Sequence, residues 1–522
     1  MDKILRTWIV LAISLGVLLP AAAQPADSPE DAGITPVTGD MAPWRAYGAD
    51  LMNFDTVWII ALSNGNVVAF KRGGDMETPG VIGGSEFLMF GPDGEQLTPM
   101  PVRGSFEPNG DPTPFVDYAS TGASWGVFTL GAAPDRVNGS GFVVHNQGES
   151  AEIFEMRFAD EVGDEAYSLV QLFDNDGNPV GASMNAFGSL TGAPGEYRDI
   201  GAVILGTENI VAIGEDRQGS DELLDEVGAW ASEVAIAVML NPDGGTEVGP
   251  WVVHTDEEGN YLGGSSSLVY QNMVAFEGGF VIDYGAGMRW YNNDGTPRTP
   301  VQADHAELDG VEVVPGYDFF FGANSGGRGD GMALASNGKD LVVKSTTLEA
   351  GEDSIGVLVF YNTDGTVRNW VRFDDVNLEE DFAMVDRTFC DMDENGNVFV
   401  VWQDQRFGGD IDGNHNQIFG RFFNSEGEPH GPSFPVFENW KSEPTYIDYG
   451  GLGEIAAGSI EQPRCAINSQ VAAVIDATTI YPDIPDMLIQ LANAFQLPLN
   501  EAVVRIFENP YKPAAVGDWS LF

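Results

Sequence analysis

NGNVFVVW (395–402) runs from a tight polar turn straight into a β-branched, apolar strand, and the same arrangement returns along the whole chain. The other copies are NGNVVAF (64–70), NGSGFVVH (138–145), ENIVAIG (208–214), EGGFVID (277–283), NGKDLVV (337–343) and NSQVAAVI (468–475). Their turn positions, at 65, 139, 209, 278, 338, 396 and 469, lie 74, 70, 69, 60, 58 and 73 residues apart. Self-similarity at such a period marks a repeat architecture, in which one unit cannot bury its apolar faces alone.

A second set of turns is interleaved with the first. It reads GPDGEQL (91–97), DNDGNPV (174–180), NPDGGTE (241–247), NNDGTPR (292–298), NTDGTVR (362–368) and NSEGEPH (424–430). Each tip follows an apolar strand such as EFLMF or QIFGRFF, and its Gly accepts the positive φ that a tight hairpin demands. Each repeat therefore holds two hairpins, or four strands, which is the content of one propeller blade. The expectation is an all-β chain folded as a seven-bladed β-propeller over residues 43–482. Six or eight blades, or unrelated hairpins in a β-sandwich, are the alternatives. The seventh repeat lacks a clear second tip, so its outer strands are expected from PWRAYG (43–48) or from EAVVRIF (501–507). Closing the ring in this way removes strand edges that would otherwise invite aggregation.

The ends read differently. Residues 1–23 have the form of a secretory signal, with Lys3 and Arg6 at its start, an apolar run from Trp8 to Leu19, and small residues Ala21 and Ala23 before the expected cleavage. That run is too short to span a bilayer, and no other segment approaches ~18 unbroken apolar residues, so no transmembrane segment is expected. The protein is expected to be exported, to the periplasm, the cell surface or the medium. Residues 24–42, rich in Pro, Ala, Gly and acid, read as a flexible leader. Residues 483–522 read as a short C-terminal helix, PDMLIQLANAF (485–495), and a tail.

The charge is extreme, with 79 acidic residues against 24 basic and a formal net of −55. Such a field disfavours nucleic acid and anionic membranes as partners. It fits a solvated acidic surface adapted to salty water, several bound divalent cations, or a cationic partner. Two cysteines, Cys390 and Cys465, hold matching positions in repeats six and seven. An exported protein can keep a disulfide between them; the alternative is two buried thiols.

DMDENGNV (391–398) carries the strongest chemical pattern. Asp391, Asp393 and Asn395, ahead of Gly396, place oxygens as a calcium loop does, on a sharp turn suited to a hard cation. Phe399 and Trp402 then stand where the later ligands belong, and the segment is also the sixth hairpin of the repeat. Asp410, Asp412 and Asn414 in GGDIDGNHNQ (408–417) alternate on a second loop that reads either as calcium ligands or as ordinary turn composition. Arg72 with Asp75, Arg217 with Asp221, and Arg406 with Asp410 recur as pairs able to staple loops through bidentate hydrogen bonds.

VVWQDQRFGGDIDGNHNQIFGRFFNSEGEPHGPSFPV (400–436) resembles the Trp-x-Asp-x-Arg blade repeat of secreted bacterial β-propeller proteins, a loosely sialidase-like group. The resemblance covers this one blade and implies a propeller; the group implies no single activity. No intact Ser-x-Asp-x-Gly-x-x-Trp box or HExxH is found in the chain, and no GxSxG, Walker loop or GxGxxG stands between a strand and a helix. The function expected is an exported non-catalytic binding or scaffold module whose ligand is a glycan or an envelope protein. The alternative is a glycan-active hydrolase or lyase with its site at the axial mouth, where loops 215–226 and 402–412 would converge.

Self-repulsion of this size has a direct test. At ~0.15 M salt the Debye length is about 8 Å, so neighbouring surface acids still repel. Raising sodium chloride is expected to raise the melting temperature. Calcium at matched ionic strength is expected to raise it further if the Asp391 or Asp410 loop binds the ion, because a ligand of the folded state shifts the equilibrium. Thermal melts in the two salts distinguish the effects.

Overall fold

The computed structural model describes residues 25–47, 57–71, 86–98, 102–103, 125–150, 166–187, 197–216, 234–253, 255, 273–284, 287–302, 320–321, 333–350, 353–375, 385–404, 417–438, 445–448, 454–480 and 498–513. Strand β1 (Met41–Tyr47) precedes the first blade. Blade 1 is β2 (Val57–Ala61), β3 (Val67–Lys71), β4 (Glu86–Phe90) and β5 (Val102–Arg103). Blade 2 is β6 (Trp125–Pro134), β7 (Gly141–Ser150), β8 (Ala166–Asp174) and β9 (Pro179–Asn185). Blade 3 is β10 (Tyr197–Ile204), β11 (Ile210–Asp216), β12 (Val234–Leu240) and β13 (Thr246–Val252). Blade 4 is β14 (Met273–Phe276), β15 (Gly279–Tyr284) and β16 (Gly287–Asn292). Blade 5 is β17 (Phe320–Phe321), β18 (Ala333–Ser336), β19 (Leu341–Ala350), β20 (Asp353–Asn362) and β21 (Val367–Arg372). Blade 6 is β22 (Val385–Met392), β23 (Val398–Asp404), β24 (Gln417–Phe423) and β25 (Phe434–Pro435). Blade 7 is β26 (Thr445–Asp448), β27 (Glu454–Ile467), β28 (Val471–Ile480) and β29 (Pro498–Glu508), with β1 as its edge.

These are seven antiparallel sheets. Their inner strands touch in sequence around an axis, β2 against β6, then β10, β14, β18, β22, β27 and back to β2. The fold is therefore the seven-bladed propeller that the two sets of turns specify. Among the described residues blade 4 has three strands, followed by the isolated bridges Met288–Gln302 and Tyr291–Pro297.

The blade strands show why the sequence alternates so little. Second strands are buried on both faces, as in β23, where every residue of VFVVWQD is buried, and so they read as continuous apolar runs. Outer strand β13 faces water, and its TEVGPWV is mostly exposed or half-buried. The apolar core lies between blades. Phe142 and Phe173 of blade 2 stack at 4.9 Å, and Phe87 and Phe70 of blade 1 meet them at 5.5 and 6.0 Å. Phe399 and Phe434 of blade 6 meet Phe507 of blade 7 at 6.3 and 5.6 Å, and Phe422 stacks on Phe399.

Closure uses both candidate segments. Strand β29 lies between β28 and β1, pairing Val504 with Ile475 on one side and with Met41 on the other. The propeller thus extends past 482 to Glu508. The segment read as a flexible leader is docked where described: Ile34 is buried, and Val37 N–H donates to the Ile506 carbonyl at 2.8 Å. Residues 1–23 and the expected helix at 485–495 lie outside the described residues. Five of the first-hairpin turns place a Gly at positive φ, namely Gly65, Gly139, Gly278, Gly338 and Gly396. In the third, Glu208 takes that conformation at φ 67°, one residue before the expected turn position.

Closure generates a graded expectation. A chain ending at residue 497 loses β29, a central strand, and is expected to lose cooperative unfolding altogether. A chain lacking residues 25–47 loses an edge strand and its docking bonds, and is expected to melt lower but still cooperatively. Calorimetry on the two truncations tests this order.

Candidate functional site

Antiparallel pairing within every blade brings both sets of tight hairpins to one end of the ring. The segments joining second to third strands, and each blade to the next, attach at the opposite end. The axis between these two faces is where side chains from many blades converge, so it is the place to look for a site.

At the turn face the axis is capped by one turn of blade 2, residues 135–140. Asp135 builds it, its carboxylate accepting from the N–H groups of Val137, Asn138 and Ser140 at 2.9–3.3 Å and from the Ser140 hydroxyl at 2.5 Å. The turn then reaches five other blades. Ser63 of blade 1 donates to the Gly139 carbonyl at 3.0 Å, and Asn138 donates to Leu205 of blade 3 at 3.0 Å. In blade 5, a Cβ on Gly338 would stand 2.0 Å from the Arg136 carbonyl, so only Gly fits there. Arg136 Nη2 crosses to blade 6 and donates to Asp391 Oδ2 at 2.6 Å, and to the Ile467 carbonyl of blade 7 at 2.8 Å. Asp391 Oδ2 also accepts from Ile467 N–H at 2.9 Å. Burial pushes the Asp391 carboxyl above the usual carboxylate range, against the opposing pull of Arg136 and of the N–H donors.

Further inside, the inner strands fill the axis. Trp58 of β2 donates through its indole to the Ala132 carbonyl of β6 at 2.8 Å. The Arg464 guanidinium of β27 lies 4.7 Å from the Phe389 ring and 5.4 Å from that of Trp58, a desolvated cation–π geometry worth roughly 2 kcal/mol. Cys390 and Cys465 are both buried free thiols. Each is turned to the preceding blade: Cys390 to the Ala333 carbonyl and Cys465 to that of Phe389, both at 3.6 Å. Burial pushes the Cys390 thiol up to about 12 and that of Cys465 well above its ordinary value, so neither forms a reactive thiolate at neutral pH. Of the two readings, a disulfide or two buried thiols, the structure has the two buried thiols.

Buried polar side chains also stand on the second strands of several blades. Lys344 of β19 meets Asp283 of β15 at 2.8 Å, linking blades 5 and 4. His145 of β7 donates through Nδ1 to the Gly201 carbonyl of β10 at 2.9 Å, because that carbonyl can only accept. Gln403 and Asp404 at the end of β23 and Asp476 of β28 are buried as well.

Two of the three side chains read as calcium ligands at 391–398, Asp391 and Asp393, already have protein partners. Asp391 faces the Arg136 cation. Asp393 Oδ1 accepts from the N–H groups of Asn395 and Asn397 at 2.9 and 2.8 Å, and its Oδ2 accepts from the amides of Asn397 and Asn509 at 2.8 and 3.0 Å. Asn395 is exposed and brings its carboxamide to neither acid. Asp393 is thus the hinge of a hairpin and a clasp on the chain's last strand. Among the described residues no group of three or more His, Cys, Asp or Glu side chains is arranged to hold a metal. Asp410, Asp412 and Asn414 lie outside the described residues, as do Arg72, Arg217, Arg406 and their expected acid partners.

The staples that the structure contains are different arginines, at one matching place in three blades. Arg289 donates to the Thr255 carbonyl, Arg421 to that of Phe373 and Arg505 to that of Val436, at 2.8, 3.2 and 2.8 Å, each reaching back to the end of the preceding blade. Each also lies over an aromatic ring two residues on, Tyr291, Phe423 or Phe507. The signal was present as Arg-x-aromatic just before the second tip in MRWY and GRFF, and in VRIF of the last strand.

No family model matches this chain, and no curated protein matches it in sequence. Solved structures do. A protein of unknown function from Dyadobacter fermentans is 9% identical over 90% of this chain and 98% of its own, with a TM-score of 0.35. The NanB sialidase from Streptococcus pneumoniae is 10% identical over 91% of this chain and 71% of its own, at 0.38. The phage phi92 endosialidase is 9% identical over 93% and 70%, at 0.40.

Two measurements probe the axis. Removing one partner of a buried ion pair leaves an uncompensated charge, so Arg136→Met and Asp391→Leu are each expected to cost about 3–5 kcal/mol, and the double variant less than either. Denaturant unfolding of the three variants gives the cycle. Burial holds His145 neutral, its pKa lowered from 6.5 to about 4 against the Gly201 carbonyl bond that raises it. A depressed imidazole contributes stability that is fully present above about pH 6.5 and lost as pH falls toward 4, about 3 kcal/mol in all. His145→Gln keeps a donor for Gly201 and is expected to lose that component of the pH dependence when unfolding free energies are compared with wild type.

Proposed function

We propose that the chain is an exported, non-catalytic binding or scaffold module that presents its ligand site on the face opposite the tight turns. One observation carries this reading. The turn face is bolted shut by residues 135–140, which contact five other blades, while the long segments between strands attach at the other end. A rigid ring with its variable segments gathered at one end is the arrangement propellers use to hold ligands. The ligand is a glycan or an envelope protein, and calcium bound by Asp410, Asp412 and Asn414 would order one of those segments.

The second reading is a glycan-active hydrolase or lyase. Asp404 and Asp476, buried acids on the second strands of blades 6 and 7, favour it.

The full chain is to be tested on a glycan array and by crosslinking to isolated envelopes, with release of reducing ends measured on the glycans that bind. Saturable binding without turnover is expected, unchanged by Asp243→Ala and Glu426→Ala on the turn face. Turnover would replace the first reading with the second. Loss of binding in the turn-face variants would reverse the assignment of faces.

A further inference from the structure

Four first-hairpin turns among the described residues carry Asn-Gly: Asn64-Gly65, Asn138-Gly139, Asn337-Gly338 and Asn395-Gly396. In this dipeptide the Gly nitrogen reaches the preceding carboxamide with no side chain in its way. All four nitrogens are held alike. Gly65 donates to Leu62 at 3.1 Å, Gly139 to Asp135, Gly338 to the Ser336 hydroxyl and Gly396 to Asp393, each at 3.0 Å.

The carboxamides differ. Asn64 accepts from Asn66 N–H at 3.1 Å and donates to the Asn175 carbonyl at 3.0 Å. Asn138 donates to the Leu205 carbonyl at 3.0 Å. Asn337 accepts three backbone N–H groups at 2.9–3.1 Å and donates to Asp340 at 2.9 Å. Asn395 is exposed, and among the described residues its backbone N–H bonds to Asp393 while its carboxamide has no partner.

We propose that Asn395 is a site of selective, spontaneous deamidation. The Gly396 nitrogen attacks Asn395 Cγ and gives up its proton to solvent. The carboxamide nitrogen takes up a proton and leaves as ammonia, closing a succinimide ring. Water then adds to one of the two imide carbonyls, giving aspartate or isoaspartate at position 395. The net change is one amide and one water converted to one carboxylate and one ammonium ion. A fresh charge therefore appears beside Glu394, and isoaspartate adds a backbone methylene to the turn whose Asp393 clasps Asn509 of the closing strand.

The test is timed peptide mapping of the intact, folded chain in mildly alkaline buffer, with a urea-unfolded sample as reference. In the unfolded chain the four sites are expected to convert at similar rates. In the folded chain Asn395 is expected to gain one mass unit about tenfold faster than Asn64, Asn138 or Asn337, whose carboxamides must first break hydrogen bonds. Asn395→Ser is expected to abolish the gain in that peptide and leave the other three unchanged. Equal folded rates at the four sites, faster conversion at a restrained one, or no conversion at Asn395 while the unfolded chain converts, would each overturn the proposal. Asn109-Gly110, outside the described residues, falls in a peptide of its own and does not confuse the reading.

Discussion

Strand β29 pairs with β28 on one side and with β1 on the other, and the ring exists because of that double ladder. Among the described residues no strand ladder joins one blade to the next, so a ring open at one point would expose two blade faces and the apolar surface between them. The ladder joins segments about 460 residues apart in sequence and makes the first and last blades neighbours, a closure whose entropy cost grows only slowly with loop length. Its sides are apolar: Trp44, Ala473, Val504 and Ile506 pack with Ile59 and Leu88 of blade 1 in one buried cluster. The docked segment before β1 and the Asn509 clasp on Asp393 extend this closure into blade 6.

The chain's few cations are spent on the same task. With 24 basic residues against 79 acidic ones, Arg136, Arg289, Arg298, Arg421, Arg505 and Lys344 all bond between blades. A guanidinium suits this role because it carries five donors on a planar fork and can serve several carbonyls at once. The consequence is electrostatic. Positive charge is drawn inward to meet acids that are drawn inward too, as Arg136 meets Asp391 and Lys344 meets Asp283. The cost of burying Arg136 and Asp391 together fits a role in specifying which turn caps the axis more than a role in adding stability.

That cap separates the two faces. The tight turns are short, tied by Asx-type bonds such as those of Asp393 and Asn337, and offer little that can rearrange around a ligand. Inward, Trp58, Phe389 and Arg464 fill the shaft. Under the proposed function, a ligand would approach from the end where the long segments attach.

The repeat of turn and strand determined the blade number and the positions of the tips, because a tight hairpin demands its own local chemistry and second strands buried on both faces must be continuously apolar. It did not determine the strand content of each blade, which is three in blade 4 and five in blades 5 and 7 among the described residues. Position 208 escaped for the converse reason: Glu208 adopts a conformation that its residue type does not announce. Partners across the ring were invisible. Arg136 and Asp391 are 255 residues apart, and nothing local to either names the other. The same holds for Asp393, whose calcium-like spacing is genuine but whose oxygens are claimed by a turn and by Asn509. Spacing along a chain records which atoms a segment offers; only the closed ring decides what stands opposite them.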